Sequence, residues 1–219
     1  MVHIIDRVMI PPTPANQTAL DMGFLYFAGA VSQLDLVEDI ISAEEVTLFI
    51  PMDSAFIDVG SAISDLSTSE LNTLIQYHAV VGEVRTSLDL SDDSTLETLS
   101  GDELEFTVNE SDGGLYVNNA RVITPNILLA NGVAHLIDQV LNPSDEYEYT
   151  LDYEESEGVP AFEDADNSEI PALTSGLPTP TNAFEPTATF SAVSGASNVQ
   201  SQGVFAGLFA LVAIVAFAV

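Results

Sequence analysis

NGVAHLIDQVLNP, Asn131 to Pro143, is the stretch on which the reading of this chain turns. It opens on Asn131-Gly132, a turn pair in which both residues tolerate positive φ at little cost. Val133 to Leu141 is then apolar at most positions and rich in branched side chains. That run is about one strand long and far too short for a membrane helix. Its polar side chains are His135, Asp138 and Gln139. The chain also begins with a near copy, VHIIDRVMIPP, Val2 to Pro12, in which His3, Ile5, Asp6, Val8 and Pro11 match His135, Ile137, Asp138, Val140 and Pro143. The offset of 132 residues is the size of one domain. This repeat predicts that residues 1–12 are the closing strand of a preceding copy whose remainder, with a signal peptide, lies outside this sequence.

Outward from that stretch, composition narrows the class. The chain carries 34 acids against Arg7, Arg85 and Arg121, a formal charge of −31, and has no lysine. Such a chain repels phosphates and anionic lipid headgroups, so nucleic acid is not a partner. The same balance suits an acidic or salt-rich compartment. There is no cysteine, hence no disulfide, thiolate nucleophile or thiolate metal site.

Upstream, Pro11, Pro12 and Pro14 form a stiff connector. From Thr18 to Ser42 apolar residues recur at helical spacing, with Gly23 and Gly29 marking either a break or close packing. Val46 to Ile50 reads as a strand ended by Pro51, after which Asp53 and Ser54 are N-cap residues for a helix carrying Phe56. Ser67-Thr68-Ser69-Glu70 is a capping box opening a helix through His78, followed by a strand over Val80, Val81 and Val84. Leu104, Phe106 and Val108 alternate with polar residues as a half-exposed strand, and Ser111 to Gly114 is a hairpin turn. The expectation is an α+β domain over residues 13–143, a mixed β-sheet wedge of about six or seven strands with several packed helices. Asn16 and Asn109 each head an N-glycosylation sequon.

Beyond Ser144 the character changes. Eleven acids, three tyrosines and no base lie between Asp145 and Glu169, and Ser, Thr and Pro dominate up to about Gln202. Neither part carries enough apolar surface to offset ordering entropy, so residues 144–202 are expected to be a disordered stalk. Residues 203–219 are uncharged and almost wholly apolar. The sixteen-residue run from Val204 spans ~24 Å as a helix against a bilayer core of ~30 Å, with no Lys or Arg behind it. Small residues Ser194-Gly195-Ala196, a polar spacer and a terminal apolar tail make the pattern of a GPI-attachment signal, with Ser194 or Gly195 as the attachment residue. A single-pass anchor, or a vacuolar location, is the alternative.

Three segments in order now carry a resemblance to the fasciclin domain family. Asn131 to Pro143 resembles its second signature segment, an Asn-Gly turn, a His-hydrophobic-Ile-Asp strand and a proline. TLFIPMDSAF, Thr47 to Phe56, resembles the first segment, and Tyr77-His78 resembles the central Tyr-His pair. The resemblance implies an extracellular or cell-surface module for adhesion. Its partners would be extracellular-matrix or cell-wall components, or the same domain in homophilic contact, with the membrane reached through a lipid anchor. It implies binding roles for Tyr77 and His78, although packing of their helix on the sheet is the favoured account of both. The family's Asp-Ile pair, proposed to engage integrins, falls on Asn126-Ile127. The missing carboxylate argues against integrin here. The acidic, lysine-free, cysteine-free composition resembles filamentous-fungal members.

Catalysis is not expected. Ser54, His78 and Asp138 are the residue types of a hydrolase triad, but no G-x-S-x-G elbow surrounds Ser54. His135 and Asp138, three apart on a strand, would point to opposite faces and could not share a metal. The acidic run lacks the spacing of a Ca²⁺ loop. No cofactor and no metal are implied.

Overall fold

The computed structural model describes residues 12–34, 36–109, 113–144, 161–162, 165–175 and 177. Among them are six helices, α1 Ala15–Met22, α2 Leu25–Gln33, α3 Val37–Ile41, α4 Asp53–Asp58, α5 Gly60–Asp65 and α6 Thr68–Tyr77. Seven strands follow or interleave: β1 Val46–Pro51, β2 Ala79–Val81, β3 Ser94–Glu97, β4 Glu103–Val108, β5 Leu115–Val117, β6 Ala120–Leu129 and β7 Gly132–Ile137. They form one mixed sheet in the order β2-β1-β7-β6-β5-β4-β3. Only β1 and β7 run parallel among these pairs. The fold is therefore α+β, as the sequence predicts.

β7, the strand read from the opening stretch, lies between β1 and β6. Its side chains alternate between two cores, as strand pleating requires. Ala134 and Leu136 join Leu48 and Ile50 in a core shared with α1, α2, α4, α5 and α6. Ile137 joins Phe49 in a second core with Leu104, Phe106, Val117 and Val122 from the β4–β6 arm. Covered on both sides, β1 is buried at every position. At about 25 cal/mol per Å² of apolar surface, these two cores supply the main driving force for folding.

The turn forms at the Asn-Gly pair, Ala130 and Asn131 linking β6 to β7 with Leu129 paired to Gly132, but without the expected backbone conformation. Neither Asn131 nor Gly132 takes a positive φ. Asn131 also donates from Nδ2 to the carbonyls of Ile40 and Ala43, both at 2.9 Å, and so ties off the end of α3. At Gly132 a Cβ would lie 1.9 Å from the Val46 carbonyl oxygen, so only glycine lets β7 approach β1. The strand also ends at Ile137, short of the predicted Leu141.

The long helical pattern divides. Gly23, at φ 85°, closes α1 in the left-handed conformation. Gly29 does not interrupt α2; it faces Leu173 and Leu177. The capping box at α6 forms as read, with Glu70 Oε2 accepting from Ser67 N–H at 2.8 Å and Ser67 Oγ from Glu70 N–H at 3.3 Å. Asp53 is not the cap of its own helix, which Met52 precedes. Its Oδ1 accepts from Tyr26 N–H at 3.2 Å, serving the exposed amides at the start of α2. The predicted strand past Val81 is instead an irregular crossing segment, and Val84 is partly exposed.

The expectation of disorder from Ser144 onward needs correcting for one stretch. Ala161 and Leu173 are buried, Leu173 within the helical core, and Ala172–Thr174 form a 3₁₀ turn against α2. Acid-rich composition hid this because a few apolar residues, correctly placed, suffice to dock a short segment. Residues 1–11, Ser111 and Asp112 of the turn predicted over Ser111–Gly114, Ser194, Gly195 and the apolar tail lie outside the described residues. Among the described residues no helix is long and apolar enough to cross a membrane.

Candidate functional site: a recognition surface around the signature residues

Tyr77 and His78 end α6, where the chain turns into β2. The Tyr77 hydroxyl donates to the Glu103 carbonyl at 2.9 Å and accepts from Asn118 Nδ2 at 2.7 Å. Asn118, at φ 47°, makes the tight link between β5 and β6. Tyr77 thus pins the outer arm to the helical layer.

His78 is wholly buried. Its Nδ1–H donates to the Leu74 carbonyl at 2.7 Å, and Nε2 accepts from Leu141 N–H at 3.0 Å. This arrangement fits one neutral tautomer only, since a proton on Nε2 would face the Leu141 N–H. Burial, opposed weakly by the Leu74 hydrogen bond, lowers its pKa to about 4. With both ring nitrogens committed, His78 cannot serve Ser54 as a base. Asp138 is committed too: its Oδ1 accepts from Arg121 N–H at 2.7 Å.

His135 is the mirror case on the other face of the sheet. It stacks on Phe49 with ring centroids 5.4 Å apart, and its Nε2–H donates to the Arg85 carbonyl at 2.9 Å. Its Nδ1, buried, has no hydrogen-bond partner among the described residues. Burial again lowers the pKa, and the Arg85 bond raises it less.

That bond belongs to a series the sequence did not reveal. Residues 83–87 cross the sheet from β1 to β6. Thr47, buried in β1, donates its hydroxyl to the Glu83 carbonyl at 3.0 Å and accepts from Arg85 N–H at 2.8 Å. His135 in β7 holds Arg85, as above. Asn126 in β6 accepts from Ser87 N–H at 2.9 Å and donates to Ser87 Oγ at 2.7 Å. Three adjacent strands thus each contribute one polar side chain to hold one crossing segment. A buried threonine in an otherwise apolar strand was the available signal.

Asn126 sits at φ 61°, within an irregular part of the β6–β7 register. Asparagine tolerates this conformation better than most residues. Ile127, half-buried, packs toward the helical core, while Leu128 beside it is 68% exposed. Leu88, next to the Asn126-bound Ser87, is 84% exposed. The exposed Leu128 and Leu88 each lie within two residues of the bonded Asn126–Ser87 pair. Structure separates the predicted pairs: Tyr77 and His78 lie inside, while Asn126 lies at the surface.

The two sequons differ as well. Asn109 is only 5% exposed, whereas Asn16 is half-buried at the start of α1, its Oδ1 accepting from Gln17 N–H at 2.8 Å. Among the described residues no three of His, Asp or Glu are grouped as a metal site needs.

Comparison with known proteins follows the same outline. The family model for the fasciclin domain matches residues 23–143. A fasciclin-like arabinogalactan protein of Arthroderma benhamiae is 33% identical over 182 residues, 83% of this chain and 42% of that protein. A match of that length within 219 residues necessarily includes residues 38–182. The fasciclin-like arabinogalactan protein CTB11 of Cercospora beticola is 34% identical over 143 residues, covering 65% of this chain and 38% of its own. The chain thus spans about two fifths of the length of these relatives. A solved FAS1 domain pair from the insect cell adhesion molecule Fasciclin I aligns at TM-score 0.46 and 19% identity, over 55% of this chain and 45% of that one.

Proposed function

This chain belongs to the fasciclin domain family, and on that premise we propose that it is a non-catalytic adhesion module held at the cell surface by a GPI anchor on Ser194 or Gly195. The observation that carries the non-catalytic reading is His78: its Nδ1 is bonded back into α6 at Leu74 and its Nε2 holds the chain after β7 at Leu141. What remains available at the signature positions is surface, the rim of Asn126, Leu128 and Leu88. An exposed apolar pair beside a fixed carboxamide suits contact with a neutral partner, such as a cell-wall polysaccharide, a matrix protein or a second copy of the domain. Asn126 in place of a carboxylate argues against a metal-bearing integrin site. Asn16 is the better placed of the two asparagines to carry a glycan.

Two measurements test this reading. Phosphatidylinositol-specific phospholipase applied to intact cells should release the protein to the medium; retention with Val219 still attached overturns the lipid anchor and favours a single-pass or vacuolar protein. Leu88→Ser with Leu128→Ser should weaken adhesion of displaying cells to wall or matrix preparations without changing the thermal midpoint. Unchanged adhesion would move the contact face elsewhere.

A further inference from the structure

Two glycines of the helical layer have no role in turns, and both face the same incoming segment. A Cβ at Gly29, in the middle of α2, would lie 1.8 Å from the Leu173 carbonyl oxygen. A Cβ at Gly60, the first residue of α5, would lie 2.0 Å from the Glu169 carbonyl oxygen. Both distances are far below any real contact, so backbone lies directly on backbone at two separate points. The polar groups between them are matched. Ser61 N–H donates to the Asp166 carbonyl at 3.0 Å, and Asp166 N–H donates to Ser61 Oγ at 2.9 Å. Gln33, at the end of α2, donates to the carbonyls of Leu173 at 2.8 Å and Ala172 at 3.2 Å. Leu173 is the buried anchor, and Asn142 Nδ2 holds the Ala161 carbonyl at 2.8 Å where the segment arrives.

We propose that α2 and α5 together form a peptide-docking groove, and that its occupant is this chain's own segment of residues 165–175. The occupant is fixed by complementarity: glycine opposite each carbonyl, an amide donor at Gln33, a hydrogen-bonded pair at Ser61 and one apolar anchor. Asn142 and Ala161 are neighbours in space, so the same copy supplies groove and segment. The alignment with the Arthroderma protein also runs through these residues, well past the end of the family match at 143. The folded unit therefore extends to the end of this segment. The covalent tether to Ser194 is counted from residue 177, not from 144. At ~3.5 Å per residue that limits its span to about 60 Å instead of about 175 Å. It also makes the chain leave the domain from the helical side. The groove does not depend on how the protein is anchored, so loss of the anchor reading would leave it standing.

The test is amide hydrogen exchange on the full chain. Amides of residues 165–175 should exchange about a hundredfold more slowly than those of a free peptide of the same sequence, since local opening of a docked segment governs their rate. Gly29→Leu should abolish that protection while amides of β1 and β7 keep theirs. Exchange at the free-peptide rate in the unaltered chain overturns the proposal, as does full protection in Gly29→Leu. If Gly29→Leu unfolds the whole domain, a cysteine pair gives the answer, because the chain has no cysteine of its own. Ser61→Cys with Asp166→Cys should close a disulfide in nearly all molecules under mild oxidation. Failure to close in the folded protein rejects the groove.

Discussion

The two faces of the central sheet are covered by different means. On the helical face, Leu48, Ile50, Ala134 and Leu136 meet the apolar side chains of α1, α2, α4, α5 and α6. On the opposite face, Phe49 stacks on His135 and lies tilted against Phe106, and a crossing segment is fastened by Thr47, His135 and Asn126. Apolar contact is non-directional, so helices can settle wherever shape allows. Hydrogen bonds from buried groups are directional and costly to leave unmade, so the crossing segment has one place to lie. Both faces give stability; the second also fixes where the accessible rim at Asn126 stands.

This contrast can be broken at several strengths. The largest effect should come from Phe49→Ala, which removes a fully buried ring lying 5.5 Å from Phe106 and 5.4 Å from His135. It should cost about 3–5 kcal/mol in urea unfolding, more than Leu136→Ala on the helical face if the aromatic face is the less able to collapse. His78→Leu comes next, leaving the Leu74 carbonyl and the Leu141 N–H buried without partners, at about 3 kcal/mol.

The same histidine has a pH signature. In the unfolded chain it takes up a proton near its usual value of 6.5, and in the folded chain only near about 4. Between those values the unfolded state binds more protons, so stability is fully present above pH 6.5 and falls as pH drops toward 4. The loss from this group approaches about 3 kcal/mol. Unfolding free energies of the native chain and His78→Leu, measured from pH 7 to pH 4, should converge by that amount. Parallel curves would show that His78 is not held neutral.

Gly132→Ala should cost about 1–3 kcal/mol by forcing β7 away from β1, which both faces would feel equally. Asn126→Gly tests the rim alone. It keeps the left-handed conformation but drops both bonds to Ser87, at about 1–2 kcal/mol, and amides of residues 83–87 should lose protection while α2 does not. Smallest is Ser67→Ala, about 1 kcal/mol from the α6 cap, readable as a lower thermal midpoint with unchanged adhesion.

Much of the fold was legible because periodicity and turn chemistry are local. The capping box at Ser67, the alternation of Leu104 and Phe106, and the strand beginning at Val133 each declared themselves within a few residues. The turn at Asn131 forms as the sequence predicts, but the side-chain roles of Asn131 and Asp53 are not legible there, for one reason. Each was assigned to its own turn or helix, whereas its side chain serves a distant element. The candidate site was half legible: the sequence could place Tyr77, His78 and Asn126 in the signature segments, but not say which were inside.

The sequence by itself determined the family, the near-continuous apolar runs that become β1 and β7, and the extreme acidity, since each is a property of neighbouring residues or of the sum. Only the tertiary structure decided that Tyr77 and His78 are fasteners, that Asn126 stands on an exposed rim, and that residues 165–175 belong to the folded unit. Those outcomes depend on which backbone groups far along the chain are left needing a partner, and that is settled only when the elements meet.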